Sequence, residues 1–436
     1  MSALAGSRAA SEAVLSRLRA LEGTGMRTFS DPEPTVWERT EGTRVWDADG
    51  REYLDLYAGF AVATVGYCHP RVTDAIVRQA QAMTHCPSAA PSGVRAALYE
   101  RLVGIAPAGL DRVLLAVTGA LANETAVQLA RAATGRHGVV TFGGTYVGRT
   151  VGTVRFAGKH AYREQLGVPG DAQFLPYPDP FRSPWAGERD AGEAALALLE
   201  ELLTDPASGV DRPACVLLEP IQGNGGVVVP PAGFLRGLRR LCDEHGVLLV
   251  FDEIQCGFGR SGRMWACDHE DVVPDLLTVG KGIGGGLPLA AVLGHEEVMT
   301  TWRADAITST FVANALTAAA GCAAIDVLRE ERLVERSAEL GRHALARLTE
   351  GLDGIPHVGD VRGRGLFVGV EVVVDRASNT PDAERAAHAV AALRERGVLV
   401  GRGGRHGNVV KLSPPLVLDA GDLDVGLNTI LEVLSA

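Results

Sequence analysis

The 436-residue sequence lacks the patterns that mark several protein classes. Its seven cysteines are scattered and form no Cys-x-x-Cys pair, so we expect reduced thiols in a cytoplasmic protein, with neither a zinc site nor a disulfide framework. No His-Glu-x-x-His or comparable spacing occurs, and we predict no catalytic metal. The net charge of -11 argues against nucleic acid as a main partner, because phosphate binding needs a basic surface.

Targeting and membrane-spanning patterns are also missing. The first 30 residues contain Glu12 and Glu22 and no apolar core of the length that a signal peptide needs. No later segment approaches the apolar run required to cross a bilayer. The composition, with 46% hydrophobic and 22% charged residues, is that of a globular protein, and the length favours two or three folding units.

Strand-like apolar runs alternate with helical segments from about residue 71 to 325. This alternation predicts an α/β unit whose mainly parallel sheet binds ligands at the carboxyl ends of its strands. The runs are Val113 to Val117, Gly138 to Phe142, Ala214 to Leu218, Val247 to Phe251 and Leu276 to Val279.

The two flanking regions have other patterns. Residues 1–70 predict a helix followed by short strands. Beyond Ile325, the sequence predicts one amphipathic helix through Leu348, a strand over Gly365 to Glu371, a helix from about Asp382 to Arg396 and a strand over Val409 to Leu412. We therefore expect a large ligand-binding domain over 71–325 and a smaller α+β domain over 326–436, to which 1–70 contributes.

A lysine and a carboxylate each follow an apolar run. Lys281 opens a glycine-rich turn, Gly282 to Pro288, and Asp252 comes directly after Phe251. A desolvated lysine makes Schiff bases with aldehydes, and a carboxylate can keep a pyridine nitrogen protonated. Alone, such a lysine is most often a solvated loop residue, but the pair is what pyridoxal phosphate requires.

Two further turns fit that cofactor. Gly119 and Ala120 lie between the first run and a predicted helix, where unpaired N–H groups would hold a phosphate. Tyr146 follows the next strand and is either a stacking partner for the pyridine ring or a packing residue. The glycine-rich, basic segment Gly401 to Gly407 follows no phosphate-loop spacing, and we interpret it as a connecting loop.

These motifs resemble the class III pyridoxal-phosphate-dependent aminotransferases of fold type I, the family of the ornithine, acetylornithine and 4-aminobutyrate aminotransferases. The resemblance runs from about Val36 to Leu434. Its most specific blocks are Glu219 to Gly223, Phe251 to Gln255 with Gly257 to Arg260, and Gly280 to Pro288; further matches are Trp46 to Gly50, His69-Pro70, Thr118 to Ala120 with Ala122 to Glu124, and Val361 to Leu366.

The resemblance implies a role for each matching residue. Lys281 would link covalently to the cofactor and later carry the proton, and Asp252 would pair with the pyridine nitrogen. Gln255 would bond the phenolic oxygen, while Gly119 and Ala120 would bind the phosphate. Thr310 matches a threonine that reaches the neighbouring subunit's phosphate, which implies a homodimer with shared active sites.

The substrate positions depart from the family pattern. Arg149 is retained and would bind the distal carboxylate of glutamate or 2-oxoglutarate. Asn224 and Lys411 stand where the family has a switching glutamate and the arginine that takes an α-carboxylate. Phe60 is a fourth candidate for substrate binding. Alternatively, Lys411 forms a surface pair and Arg402 or Arg405 takes that carboxylate.

The expected function is aminotransfer between a donor, glutamate, and an aldehyde or ketone in biosynthesis. The residues at 224 and 411 favour a terminal amine or an amino sugar with no carboxylate beside the amine. An epimerase or phospho-lyase of the same family stays open, since all begin with the same cofactor chemistry. A non-catalytic regulator conflicts with intact Lys281 and Asp252, and a nicotinamide dehydrogenase would need a Gly-x-Gly-x-x-Gly turn.

Overall fold

The computed structural model describes residues 8–25, 34–185, 190–307, 309–312 and 314–436. The helices of these ranges are α1 Ala9–Leu21, α2 Ala58–Ala61, α3 Pro70–Ala82, α4 Gly93–Ile105, α5 Gly119–Thr134, α6 Val151–Val154, α7 His160–Leu166, α8 Ala191–Thr204, α9 Phe234–His245, α10 Glu296–Met299, α11 Ala315–Glu330, α12 Leu333–Gly351, α13 Ala383–Glu395 and α14 Ala420–Leu434. The strands are β1 Trp37–Glu41, β2 Arg44–Asp47, β3 Glu52–Asp55, β4 Arg112–Ala116, β5 Val139–Phe142, β6 Gln173–Leu175, β7 Cys215–Leu218, β8 Leu248–Asp252, β9 Leu276–Val279, β10 Ala290–Gly294, β11 Val358–Gly363, β12 Val368–Val372, β13 Val398–Leu399, β14 Gly401–Gly403 and β15 Val409–Leu412.

A seven-stranded sheet forms the centre of the molecule, in the order β4-β10-β9-β8-β7-β5-β6. Strands β5 to β9 pair in parallel, and β10 runs antiparallel to both of its neighbours. Every residue of β5, β7, β9 and β10 is buried, because helices cover both faces of a parallel sheet and its strands become continuous apolar runs. The predicted mainly parallel sheet is confirmed, and β9 has the predicted bounds.

Two four-stranded sheets lie beside the central one. The first has the order β11-β12-β15-β14 and comes wholly from the C-terminal part of the chain. The second has the order β1-β2-β3-β13, in which Val398 pairs in parallel with Leu54. This pairing is the contact expected if residues 1–70 contribute to the smaller domain. The division at residues 70 and 325 stays a prediction.

Two local predictions are wrong. The single helix after Ile325 is instead the pair α11 and α12, which Arg332 separates with a left-handed φ of 55°. The apolar pattern continues across this break, so periodicity alone could not locate it. The segment at 401 begins as a strand, because Gly401–Gly403 pair with β15 before the chain turns.

Helix α12 packs its backbone directly against the segment that precedes β12. A Cβ atom at Gly341 would overlap the carbonyl group of Gly365. Only glycine permits this approach, since the obstructing atoms belong to the main chain and cannot move aside. By contrast, a Cβ at Gly104, near the end of α4, would meet no atom within 4 Å.

These two glycines form a matched test of the packing. We expect Gly341→Ala to lower the free energy of unfolding by about 2 kcal/mol or more, through overpacking. Gly104→Ala should leave stability unchanged or raise it by up to about 1 kcal/mol, because alanine favours a helix. Urea unfolding of both variants measures the difference, and equal midpoints would contradict the close helix packing.

Candidate active site

Three charged residues meet at the carboxyl edge of the central sheet. Glu219 follows β7, Asp252 ends β8 and Lys281 lies just beyond β9, and these strands are neighbours. All three line a cavity of about 260 Å³, whose walls are Thr118, Gly119, Ala120, Asn123, Tyr146, Val147, Gly148, Arg149, Glu219, Asp252, Ile254, Gln255 and Lys281. The cavity thus brings together seven of the predicted site residues: Gly119, Ala120, Tyr146, Arg149, Asp252, Gln255 and Lys281.

Asp252 is buried, with 3% of its surface exposed. One carboxylate oxygen accepts a hydrogen bond from the backbone N–H of Ile254 at 3.0 Å, and the other accepts from Asn123 Nδ2 at 2.7 Å. Burial raises the pKa of Asp252, while these two bonds and the charge of Lys281 oppose the rise.

Asn123 is fully engaged in holding that carboxylate. Its Nδ2 also donates to the carbonyl oxygen of Val147 at 2.9 Å, and its Oδ1 accepts from Thr278 Oγ1 at 2.7 Å. The chain Thr278–Asn123–Asp252 therefore links helix α5 to strands β9 and β8. No role was predicted for Asn123, although it lies within one of the matching blocks.

Lys281 begins a short 3-10 turn, Lys281–Gly284, with a left-handed φ of 47°. Burial lowers the pKa of its amine, and the carboxylates of Asp252 and Glu219 oppose this effect. A lowered pKa increases the fraction of neutral, nucleophilic amine. The next residue, Gly282, packs against the hydroxyl of Thr64, where a side chain would not fit.

Glu219 is a second buried carboxylate beside Asp252. Its oxygens accept hydrogen bonds from Thr145 Oγ1 at 3.0 Å, from the N–H of Tyr146 at 2.9 Å and from the N–H of Gly223 at 2.8 Å. Burial and then the charge of Asp252 raise its pKa to about 7. Glu219 thereby ties the loop after β5 to the end of β7. No role was predicted for it, although its motif was identified.

Helix α5 begins at the wall of the same cavity. The Thr118 hydroxyl caps it by accepting from the N–H of Leu121, which leaves the first N–H groups, at Gly119 and Ala120, without intrahelical acceptors. The side chain of Ile254 packs against Gly119, where a Cβ would approach it to 2.7 Å. A buried acid, an amine of lowered pKa and an anion-binding helix start fit the ring nitrogen, aldehyde and phosphate of pyridoxal phosphate.

Arg149 lines the cavity and lies beside two aromatic rings. Its guanidinium carbon lies 4.1 Å from the ring centroid of Tyr162 and 5.9 Å from that of Tyr146. Its Nε is buried and has no hydrogen-bond acceptor among the described residues. The two tyrosine rings meet edge to face, with centroids 5.9 Å apart. Tyr162, on α7, was not among the predicted site residues.

Lys411 and Asn224 lie near the site but do not pair with each other. Lys411 on β15 is 3% exposed, and its Nζ lies 5.9 Å from the ring centroid of Phe367. Burial and the charge of Lys281 lower its pKa to about 8, which Glu219 opposes. In the described part of the chain its ammonium has no hydrogen-bond or carboxylate partner, so it is not in a surface pair. The side chain of Asn224 instead interacts with the phenol of Tyr162.

The last two predicted residues lie outside the cavity lining. Phe60 is 62% exposed and occupies a left-handed turn with a φ of 69°, where its ring packs against Tyr57 at 4.9 Å. Thr310 is exposed on its own chain.

Within the described ranges, no helix is long and apolar enough to cross a membrane, and no group of three or more His, Cys, Asp or Glu could hold a metal ion.

Comparison with known proteins defines the family. The pattern of the family described as Aminotransferase class-III matches residues 27–434. The chain is 37% identical to the acetylornithine aminotransferase of Methanothermobacter thermautotrophicus, over 94% of this chain and 96% of that protein. It is 33% identical to a leucine/methionine racemase of Thermococcus litoralis, over 92% and 91% of the two proteins.

A solved structure supports the same family. The ornithine aminotransferase of Toxoplasma gondii, a structure described with partial occupancy of pyridoxal phosphate, is 32% identical and superimposes with a TM-score of 0.84, over 97% of this chain and 94% of that one. The chain belongs to the class III aminotransferases. It is an enzyme of fold type I that uses pyridoxal 5'-phosphate, which confirms the predicted family, fold, activity class and cofactor.

The Asn123 network predicts a pH-dependent defect. Asn123→Asp would place a second buried carboxylate beside Asp252 and should lower the free energy of unfolding by about 2 to 4 kcal/mol near pH 8. The two carboxyl groups raise each other's pKa, so the folded protein binds a proton that the unfolded chain does not. Stability should therefore recover as the pH falls to about 6. Urea unfolding of the cofactor-free protein at both pH values measures the change.

A matched control exists at Asn408, which is also buried and donates to a carboxylate, Glu371, at 3.2 Å. There Arg362 and Arg182 both pair with Glu371, so an added carboxylate is partly neutralised. Asn408→Asp should show a weaker pH dependence. The same dependence in both variants would show that the Asn123 site has no special charge environment.

Proposed function

We propose that this aminotransferase takes its amino group from glutamate and supplies, in a biosynthetic reaction, an amine whose carbon carries no carboxylate. The observation that carries this proposal is the unpaired guanidinium nitrogen of Arg149 inside the cavity of Lys281. A buried, unsatisfied donor on a cation favours a ligand carboxylate, which an arginine binds well because of its planar fork. Glutamate provides such a group at its distal end.

The residue at 411 supports the second half of the proposal. Lys411 offers a compact point charge, without the planar fork of the arginine that the family has at this place, and burial lowers its pKa to about 8. Lys411 therefore binds an α-carboxylate more weakly than an arginine would. Phe60, which packs on Tyr57 outside the cavity lining, stays a proposed substrate contact. A terminal amine or an amino sugar fits these features.

The roles of the chain's own residues follow from their positions. Pyridoxal phosphate, when bound, supplies an electron-withdrawing ring that acidifies the substrate carbon. Lys281 would hold the cofactor's aldehyde carbon and then take up and return the proton at the substrate carbon. Asp252, fixed by Asn123, would keep the ring nitrogen protonated, and Gly119 and Ala120 would bind the phosphate through their N–H groups.

The remaining wall residues would orient the ring. Gln255 would donate to its phenolic oxygen, and Tyr146 would stack on its face. Both residues line the same cavity as Lys281, which supports these assignments. The seven free thiols of the structure support a cytoplasmic location for the reaction.

Glutamate consumption separates this proposal from racemisation, the activity named for one relative. The purified enzyme should convert L-glutamate to 2-oxoglutarate, one equivalent per active site without an acceptor and continuously with one. Arg149→Ala should raise the KM for glutamate by about 10- to 100-fold, since a charge-assisted bond is lost, and leave 1,4-diaminobutane nearly unaffected. Arg149→Lys, the matched control, keeps the charge but loses the planar fork. Its KM for glutamate should lie between that of the unmodified enzyme and that of Arg149→Ala.

Two results would contradict the proposal. One is formation of D-amino acid without 2-oxoglutarate, which would make the enzyme a racemase. The other is a higher kcat/KM for alanine or for the α-amine of ornithine than for terminal amines, which would show that the site is built for an α-carboxylate.

A dimer with shared sites is the proposed assembly. Thr310 is exposed and does not line its own chain's cavity, and the adjoining Phe311 has 64% of its surface exposed. The position supports a contribution of Thr310 to the neighbouring subunit's phosphate site, as in the family it resembles.

Mixed dimers test this arrangement. When inactive Lys281→Ala subunits are mixed with Thr310→Ala subunits, each heterodimer should carry both lesions in one site and none in the other, so that about a quarter of all sites become intact. Activity at limiting cofactor should rise accordingly after subunit exchange. If heterodimers form, as shown by native mass spectrometry, and no activity returns, Thr310 does not act across the interface.

A further inference from the structure

Arg149 is held in the site by aromatic rings in place of a carboxylate. Among the described residues no Asp or Glu lies within ion-pair distance of its guanidinium, although its carbon is 4.1 Å from the centre of the Tyr162 ring. A protein carboxylate would neutralise the arginine and compete with a ligand carboxylate. An aromatic face attracts the cation without cancelling its charge. The guanidinium is thus oriented and still charged.

Tyr162 is itself fixed from two sides. Its ring packs edge to face against Tyr146, and its phenol interacts with the side chain of Asn224 in the loop after β7. Two separate segments of the chain, the loop after β5 and the loop after β7, therefore converge on this one side chain of helix α7. A ring held in this way has little freedom to move, and neither has the guanidinium that contacts it.

The surroundings of Tyr162 are positively charged. Lys159 Nζ lies 5.7 Å from the ring centroid, on the same tyrosine that contacts Arg149. Burial raises the pKa of the phenol, but the contacts with Asn224 and Arg149 and the charge of Lys159 outweigh this effect, so the pKa lies below the ordinary value. The positive charges of Arg149 and Lys159 beside this ring favour a ligand that carries a carboxylate.

We infer that Tyr162 is a positioning residue that holds the Arg149 guanidinium toward the cavity and thereby sets the enzyme's selectivity for substrates that carry a distal carboxylate. The inference rests on the proposed role of Arg149 in binding glutamate. Asn224 acts through Tyr162, by anchoring the phenol, and not as a partner of Lys411. Tyr162 itself need not touch the substrate.

A double-mutant cycle on the holoenzyme tests this inference. Tyr162→Leu removes the ring face and should raise the KM for glutamate by about tenfold, with kcat changed less than about twofold. The kcat/KM for 1,4-diaminobutane should not change. Tyr162→Phe keeps the aromatic ring face and loses only the hydroxyl group, so we expect the KM for glutamate to rise by about threefold or less. Calorimetric titration with glutarate should give dissociation constants that follow the same order.

The cycle is completed by Arg149→Ala, in which Tyr162→Leu should have no further effect on glutamate, because the residue through which it acts is gone. An equal loss for glutamate and the diamine, or an undiminished loss in the Arg149→Ala background, would overturn the inference alone. If Arg149→Ala leaves the KM for glutamate unchanged, the proposed donor site and the inference both fail. Matching melting temperatures and bound-cofactor absorbance show that the variants fold, and Tyr162→Phe serves where leucine is not tolerated.

Discussion

The burial of opposite charges at one edge of the central sheet is the constraint on which the rest of the site depends. Glu219, Asp252 and Lys281 stand side by side at the ends of β7, β8 and β9. An uncompensated buried charge costs several kcal/mol, so the surrounding segments must supply hydrogen bonds. Asp252 receives them from Asn123 and the N–H of Ile254, and Glu219 receives three.

That requirement also places the proposed substrate-binding arginine. Glu219 holds the loop after β5 by accepting hydrogen bonds from the Thr145 hydroxyl and the N–H of Tyr146, and the same loop continues to Arg149. A single buried carboxylate thus brings the proposed carboxylate-binding arginine next to Lys281. Asn123 likewise joins α5 to Asp252, which places the helix start beside the same cavity. The proposed phosphate, ring and substrate sites are therefore coupled through two buried acids.

The sequence predicted the features that depend on local pattern. An apolar run located β9, and the small residues at 119 and 120, predicted as the turn before a helix, form the first turn of α5. Because parallel strands end at one edge, Lys281 and Asp252 could be predicted to meet. Asn123 and Tyr162 could not be found in this way. Each looks like an ordinary polar or aromatic position on a helix, and its significance comes from partners 129 and 62 residues distant, Asp252 and Asn224. Lys411 interrupts an apolar strand, but its burial depends on the pairing of β15 between β12 and β14.

The central claim is that Lys281 carries the cofactor at the carboxyl edge of the sheet. Borohydride reduction of the holoenzyme, followed by proteolysis and peptide mass mapping, tests it directly. We predict that the cofactor's mass is found on the peptide containing Lys281 and on no other, and that Lys281→Ala retains no mass after reduction. Attachment to a different lysine, including the nearby buried Lys411, would contradict the account.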